Sequence, residues 1–229
     1  MWNRRASIAI LISGNGSNLQ AIIDAISNKQ INGYIACVIS NNESAYGLER
    51  AKAANIKNII VDHKNFPSRE GFDKALLKKI EDKGVKIAYV TLHIGLGTFK
   101  PIMVEDLTRH QMDSEYFNVP PETATIINEA RERKKNIITV GTSTVRTLET
   151  VVVSGFQITA KKGWTDKFVY PPYEFKMCDR LITNFHQPQS TLMMMVSAFS
   201  NKDFVMRAYQ EAIDKKYRFY SYGDAMICI

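Results

Sequence analysis

Within this chain of 229 residues, the side chains able to hold or move a proton gather in short polar clusters. His93, Gly95, Gly97 and Thr98 follow an apolar run, and Gly141, Thr142, Ser143 and Arg146 follow another. Asn184 and His186 follow a third, while Tyr222, Gly223 and Asp224 form a polar turn near the C-terminus. The second cluster sets hydroxyls and backbone donors at a helix start. Arg146 suits a carboxylate or phosphate. Each cluster also has a plain structural reading: a histidine can simply be satisfied by neighbours, and Gly-x-Gly can simply turn the chain. Polar clusters at three strand ends favour a site over coincidence.

A further cluster, Gly14, Asn15, Gly16, Ser17 and Asn18, separates an apolar strand from a helix. Glycines there let the backbone approach a phosphate, and helix-terminal N–H groups favour its charge. The spacing imitates a dinucleotide fingerprint, but Leu19 stands where the third glycine belongs. The second strand ends in Ser-Asn-Asn, 40–42, without a ribose-binding acid, so no nicotinamide cofactor is expected. The alternative is a tight turn with Ser17 as N-cap.

The elements that must carry these clusters follow from periodicity. Strands are expected at 7–12, 35–40 and 58–61, with helices at 17–27 and 47–54 between them. This βαβαβ order implies a parallel sheet with right-handed crossovers. A helix over 73–83 ends at Gly84, and a strand over 86–93 is placed to continue the same sheet. Further on come helices at 120–135, from Gly141 through 153, at 190–199 and at 203–215. Strands are expected at 136–140 and 181–184, and the aromatic, Gly- and Pro-rich stretch 161–176 reads as loop with short strands. The fold class is α/β: a Rossmann-like βαβαβ half-domain running into an α/β sheet-based region, without a separate β-barrel domain.

A net charge of +7 and a pI near 9.2 favour an anionic partner, either phosphorylated metabolites or nucleic acid. Cys37, Cys178 and Cys228 are odd in number and widely spaced, which argues against a disulfide framework or a zinc site. Buried, reduced thiols and no metal are expected. Arg4-Arg5 followed by IAILI imitates a signal peptide, but the apolar run is short and enters a glycine loop. A cytoplasmic chain with no membrane segment is expected. Met193-Met-Met195 reads as helix core.

The chain divides into two vocabularies. LISGNGSNLQAIIDA, VISNNESAYGLERAKAANI and SREGFDKALL resemble, in order, glycinamide ribonucleotide formyltransferase of purine synthesis. The resemblance covers residues 1–72. It implies that Gly14, Asn15, Gly16, Ser17 and Asn18, assisted by Arg69, cradle the phosphate of a small phosphoribosyl substrate. That family's Asn, His and Asp catalytic set belongs to a later half with no counterpart here, so formyl transfer is not expected.

Residues 73–229 speak differently. VTLHIGLGTF, HQMDSEYFNV, VGTSTVRTLE, NFHQPQSTL and YRFYSYGDAM resemble the S-adenosylmethionine:tRNA ribosyltransferase-isomerase of queuosine biosynthesis. The resemblance implies transfer of the ribosyl group of S-adenosylmethionine to 7-aminomethyl-7-deazaguanine in tRNA. Isomerisation then gives epoxyqueuosine, with release of adenine and methionine. Leaving adenine needs a proton or hydrogen-bond donor, and the aminomethyl group must lose a proton to react. His93 and His186 are the histidines inside matched motifs, with Asp224 and Glu115 as competing carboxylates. Gly95, Gly97, Thr98, Gly141, Thr142, Ser143, Arg146, Asn184 and Tyr222 are the implied substrate contacts. Two other readings stand beside this one: a truncated formyltransferase, and a fused chain, from recombination or faulty assembly, that catalyses neither reaction.

Overall fold

The structure, a computed structural model, describes residues 6–99, 101–221 and 223–228. The chain divides after Ile87 into two compact units.

In the first unit β1 (Ala6–Ile12), α1 (Ser17–Ser27), β2 (Gly33–Ser40), α2 (Tyr46–Ala53), β3 (Asn58–Ile60) and α3 (Arg69–Glu81) alternate as expected. The strands form a parallel sheet in the order β1-β2-β3. Strand β2 is central and buried on both faces, because successive side chains point to opposite sides. Val38 joins Ile10, Leu19 and Ala51 in one core, while Cys37 and Ile39 join Val61 in another. Phe72, Leu76 and Ile80 of α3, spaced four apart, close that second core. Helix α3 starts at Arg69, four residues before the expected start, because the Ser68 hydroxyl accepts the Gly71 N–H at 3.2 Å.

The first loop departs from its expected cap. Gly16, in the left-handed region at φ 69°, is the N-cap of α1, and no side chain caps it. Ser17 is the first helical residue instead. Gly16 also lies against Gly47 at the start of α2; a Cβ on Gly16 would meet the Gly47 Cα at 2.5 Å. The Gly47 N–H donates to the Gly14 carbonyl at 3.0 Å. Two glycines thus let two helix starts touch through backbone alone.

In the second unit the chain order is β4 (Thr91–His93), β5 (Glu115–Val119), α4 (Pro121–Glu132), β6 (Ile138–Val140), α5 (Thr142–Val151), β7 (Val152–Val153), β8 (Gln157–Ile158), β9 (Lys161–Thr165), β10 (Arg180–Asn184), α6 (Thr191–Phe199), α7 (Lys202–Asp214) and β11 (Ala225–Cys228). Its sheets run in the orders β4-β5-β9, β11-β10-β6 and β7-β8, and no sheet closes into a barrel among the described residues. The expected strand over 86–93 is shortened to Thr91–His93. It pairs antiparallel with β5 and lies in a different sheet from β1, so the expected extension of the parallel sheet does not form. The apolar face of the strand explains this, for Leu92 packs with Phe117, Val119 and Ile127.

Helix α5 links the unit's two main cores. Val145 packs with Leu181, Phe185, Met193 and Val196, whereas Leu148 and Val151 pack with Phe117 and Ile127. Met193 and Met195 are core, as expected. All three cysteines are free and buried; burial pushes the Cys178 thiol up to about 12 and Cys228 to about 11. Thiolate chemistry is thereby disfavoured at these two.

The two loop glycines should separate sharply in a denaturation experiment on the full chain. Gly16→Ala should lower the unfolding free energy by about 2 kcal/mol or more, from positive φ and backbone collision together. Gly14→Ala, with open space around its Cβ, should change it by no more than about 0.5 kcal/mol. Equal effects in urea melts would contradict the contact.

Candidate functional site

Helix α5 is buried nearly all round, yet it carries Arg146 and Glu149. Charges so placed must find partners. The Arg146 guanidinium, 2% exposed, meets the Glu115 carboxylate of β5 at 2.9 Å. It also donates to the carbonyls of Lys167 at 2.9 Å, Thr165 at 3.1 Å and Asp113 at 3.3 Å. Burial pulls its pKa below the ordinary value, and Glu115 opposes that pull. Glu149 accepts the N–H groups of Lys176 and Met177 at 2.9 and 2.7 Å, and the Tyr173 hydroxyl at 3.1 Å. Arg146 therefore stands behind the site wall, with its donors engaged by protein, rather than reaching a ligand.

The carboxylate of Glu115 does more than answer Arg146. It accepts the Ser143 hydroxyl at 3.2 Å and the Thr98 hydroxyl as well. Those two hydroxyls belong to the wall of a cavity of about 350 Å³, within the range of small-molecule sites. The cavity is bordered by the start of α5 (Gly141, Thr142, Ser143), the end of β10 (Thr183, Asn184), His186 just beyond it and Thr98. Gly141, at φ 87°, allows the strand-to-helix turn and donates its N–H to the Ile182 carbonyl at 2.9 Å. Apolar flanks come from Leu92, Ile94, Val140 and Leu192.

His186 is held from two sides. Its Nε2 lies 2.8 Å from the Thr183 hydroxyl, and its backbone N–H donates to the Tyr209 hydroxyl at 3.0 Å. Burial draws its imidazole down to about 4, so it is uncharged at neutral pH. Asn184 donates from Nδ2 to the carbonyls of Gly223 and Asp224 at 3.4 and 3.3 Å, tying the C-terminal turn to the cavity.

The expected residues are thus brought together in part. Thr98, Gly141, Thr142, Ser143, Asn184 and His186 share one cavity; Glu115 and Arg146 brace its wall. His93 lies on the opposite face of β4 from Leu92, edge-on to Tyr116 at 5.2 Å. Gly95 is exposed, and Gly97 packs so close to Asp113 that a Cβ would collide with that side chain. The Asp224 carboxylate accepts the Arg218 N–H at 2.8 Å, which lowers its pKa and holds the turn. Tyr222 lies outside the described residues.

In the first unit Gly14 and Asn15 are exposed in the turn before α1, and Ser17 and Asn18 are exposed in its first turn. Arg50, a residue the sequence did not single out, donates to the Asn15 carbonyl at 2.9 Å and sets a cation beside it. Arg69 lines a separate hollow with His63, Phe66 and Phe72. Sequence reasoning also passed over Thr183, Gln187, Ser190, Tyr220 and Ser221 in the cavity wall. Thr183 carried a signal, since strand alternation puts it two residues from Phe185 on the buried side. Among the described residues no group of three His, Cys, Asp or Glu is placed to hold a metal ion, and no helix is long and apolar enough to cross a membrane.

Residues 69–228 match the family model described as queuosine biosynthesis protein, and residues 6–94 match that of formyl transferase. The two matches overlap over 69–94. The S-adenosylmethionine:tRNA ribosyltransferase-isomerase of Sulfurihydrogenibium sp. is 56% identical over 158 residues, covering 69% of this chain and 46% of that protein. Its counterpart from Macrococcus caseolyticus is 53% identical over 155 residues, covering 68% and 46%. The crystal structure of the S-adenosylmethionine tRNA ribosyltransferase from Thermotoga maritima superposes with a TM-score of 0.54 at 42% identity. That alignment covers 70% of this chain and 54% of the other. The chain spans about half the length of the curated relatives it matches.

The wall and His186 each lead to a measurable outcome. Glu115→Ala strands a buried guanidinium and should cost about 3–5 kcal/mol in urea unfolding. Arg146→Ala should cost about as much, and the double variant little more than either, because each single change already breaks the pair. For His186, the unfolded imidazole takes up its proton near pH 6.5 and the folded one near 4. Stability should therefore fall as pH drops from about 6.5 to about 4, and His186→Asn should flatten that part of the urea-midpoint profile. An unchanged slope would show that His186 is not buried in its neutral form.

Proposed function

The chain belongs to the queuosine biosynthesis protein family, and on that premise we propose that its second unit carries a ribosyl-transfer site. The substrates are S-adenosylmethionine and a tRNA bearing 7-aminomethyl-7-deazaguanine. The ribosyl group passes to that base and rearranges to epoxyqueuosine, and adenine and methionine leave. A tRNA substrate places the reaction in the cytoplasm, and S-adenosylmethionine serves as ribosyl donor.

The observation that supports this reading best is the cavity. The hydroxyls of Thr98 and Ser143, the Gly141 turn, Asn184 and His186 converge there from separate motifs. Thr98, Ser143 and Asn184 orient the nucleoside, Thr142 at the start of α5 adds a further hydroxyl, and Glu115 with Arg146 fixes the wall. His186 works as an uncharged imidazole, taking or relaying a proton rather than delivering one from a standing positive charge. Asp224 serves by holding the C-terminal turn that Asn184 ties to the cavity, whereas His93, on the outer face of β4, takes no part inside it.

The first unit supports a second, separate reading. Its turn at Gly14, Asn15 and Gly16, with Ser17 and Asn18 at the start of α1, takes the phosphate of a phosphoribosyl compound, and Arg50 near Asn15 adds positive charge. Arg69 sits outside that loop and would contribute only at a distance. Calorimetric titration of glycinamide ribonucleotide tests the loop alone; silence there leaves it as a tight turn.

Adenine release tests the main reading. The chain, given S-adenosylmethionine and the precursor tRNA, should release adenine in step with label entering the tRNA. Ser143→Ala and Asn184→Ala should each lower kcat/KM by about 10–100-fold in chains that still unfold cooperatively. A folded chain that releases no adenine above background refutes the proposal.

A further inference from the structure

Strand β4 has two faces with different company. Leu92 lines the cavity, whereas His93 points the other way and starts a row of rings across the β4-β5-β9 sheet. His93 stands opposite Tyr116, and Tyr116 opposite Trp164. The rings meet edge to face, with centroids 5.2 and 5.6 Å apart. Trp164 ends the row 66% exposed. Two residues along each strand, on the same face, Thr91, Asn118 and Lys162 make a second, polar row. All of these save Tyr116 and Asn118 are exposed to solvent, and those two are half-buried.

Cross-strand ring pairs steady a sheet, but that role does not require Trp164 to stand 66% exposed at the end of the row. The buried side of the sheet, with Phe117 and Val119, already supplies its core. What the outer face does offer is a stacking surface beside a cation, the combination that holds unpaired nucleobases and their phosphates. We propose that the His93–Tyr116–Trp164 face binds unpaired bases of single-stranded RNA, with Lys162 against the backbone phosphate. That the strand is the loop flanking the reacting nucleoside of a tRNA rests on the ribosyl-transfer reading; the stacking itself does not. β4 ends its sheet, so one nucleotide can enter the cavity past Leu92 while its neighbours lie on the other face.

The chain has two tryptophans, so Trp2→Phe leaves Trp164 as sole reporter. In that background, a stem-loop RNA with a seven-base loop should quench the Trp164 fluorescence, and a blunt duplex of equal length should not. By anisotropy with labelled stem-loop and no S-adenosylmethionine, Trp164→Ala should weaken binding at least about tenfold, and Trp164→Phe should restore most of it. Lys162→Ala should reduce the salt dependence by roughly one phosphate's share. Equal affinity of the folded Trp164→Ala variant, or equal binding of the duplex, overturns the proposal. So does a Trp164 signal that follows protein concentration instead of RNA, which would make this face a contact between copies of the chain. Because no turnover is required, stacking can fail while adenine release survives, and the reverse; each result speaks to one claim only.

Discussion

A guanidinium buried inside a helix that faces protein on nearly every side is the constraint around which the second unit is built. Arg146 cannot stay there without a carboxylate, and the carboxylate cannot be there without β5 alongside α5. Once Glu115 is fixed by Arg146, its remaining lone pairs gather Thr98 and Ser143, from segments far apart in sequence. The backbone carbonyls of Asp113, Thr165 and Lys167 complete the arrangement and hold the loops on either side of the two strands. Position in the cavity is therefore inherited from electrostatics behind it. Glu149, one turn further along α5, repeats the device with backbone N–H donors and a tyrosine, anchoring the helix at its other end.

The two families meet in the chain without a linker. Their matched segments overlap over 69–94, a stretch that holds α3, the division after Ile87 and strand β4. The overlap is physically sensible for α3, because an amphipathic helix asks only for apolar residues every three or four positions, and Phe72, Leu76 and Ile80 meet that demand in the first unit. It is less forgiving for β4. Three residues long, that strand pairs with β5, so its place is dictated by a later strand of its own unit and not by the parallel sheet of the first.

Much of the fold could be read directly. Helix α1 and the parallel strands announce themselves through apolar runs punctuated by glycine, and the starts of α5 and α6 through Gly141 and Ser190. Strand β5 hid for a definite reason: its buried positions are Glu115, Phe117 and Val119, so the alternation that marks a strand is broken by an acid pointing inward. Strand β9 lies in the stretch 161–176 read as loop with short strands; two lysines and a glycine hid its bounds, although Gly163 lies over Phe117 and both lysines are exposed. The same pairing explains the mixed fate of the site. Gly141, Ser143, Asn184 and His186 follow strand ends, where position and role coincide. Arg146 looked like a ligand for an anion because its partner lies 31 residues away, beyond any local pattern. Ser17 looked like a cap because sequence does not reveal that Gly16 must touch Gly47.

One consequence concerns the polarity of the cavity itself. A hydroxyl owns a single proton, and both Thr98 and Ser143 direct theirs at Glu115. What they turn toward a guest is therefore oxygen lone pairs alone. Hydroxyls that would normally adapt to either kind of neighbour are here committed acceptors, and the two of them welcome the N–H and O–H donors of a guest. The buried arginine, its own donors engaged by protein, thereby reaches into the cavity only through the hydroxyls its carboxylate partner holds.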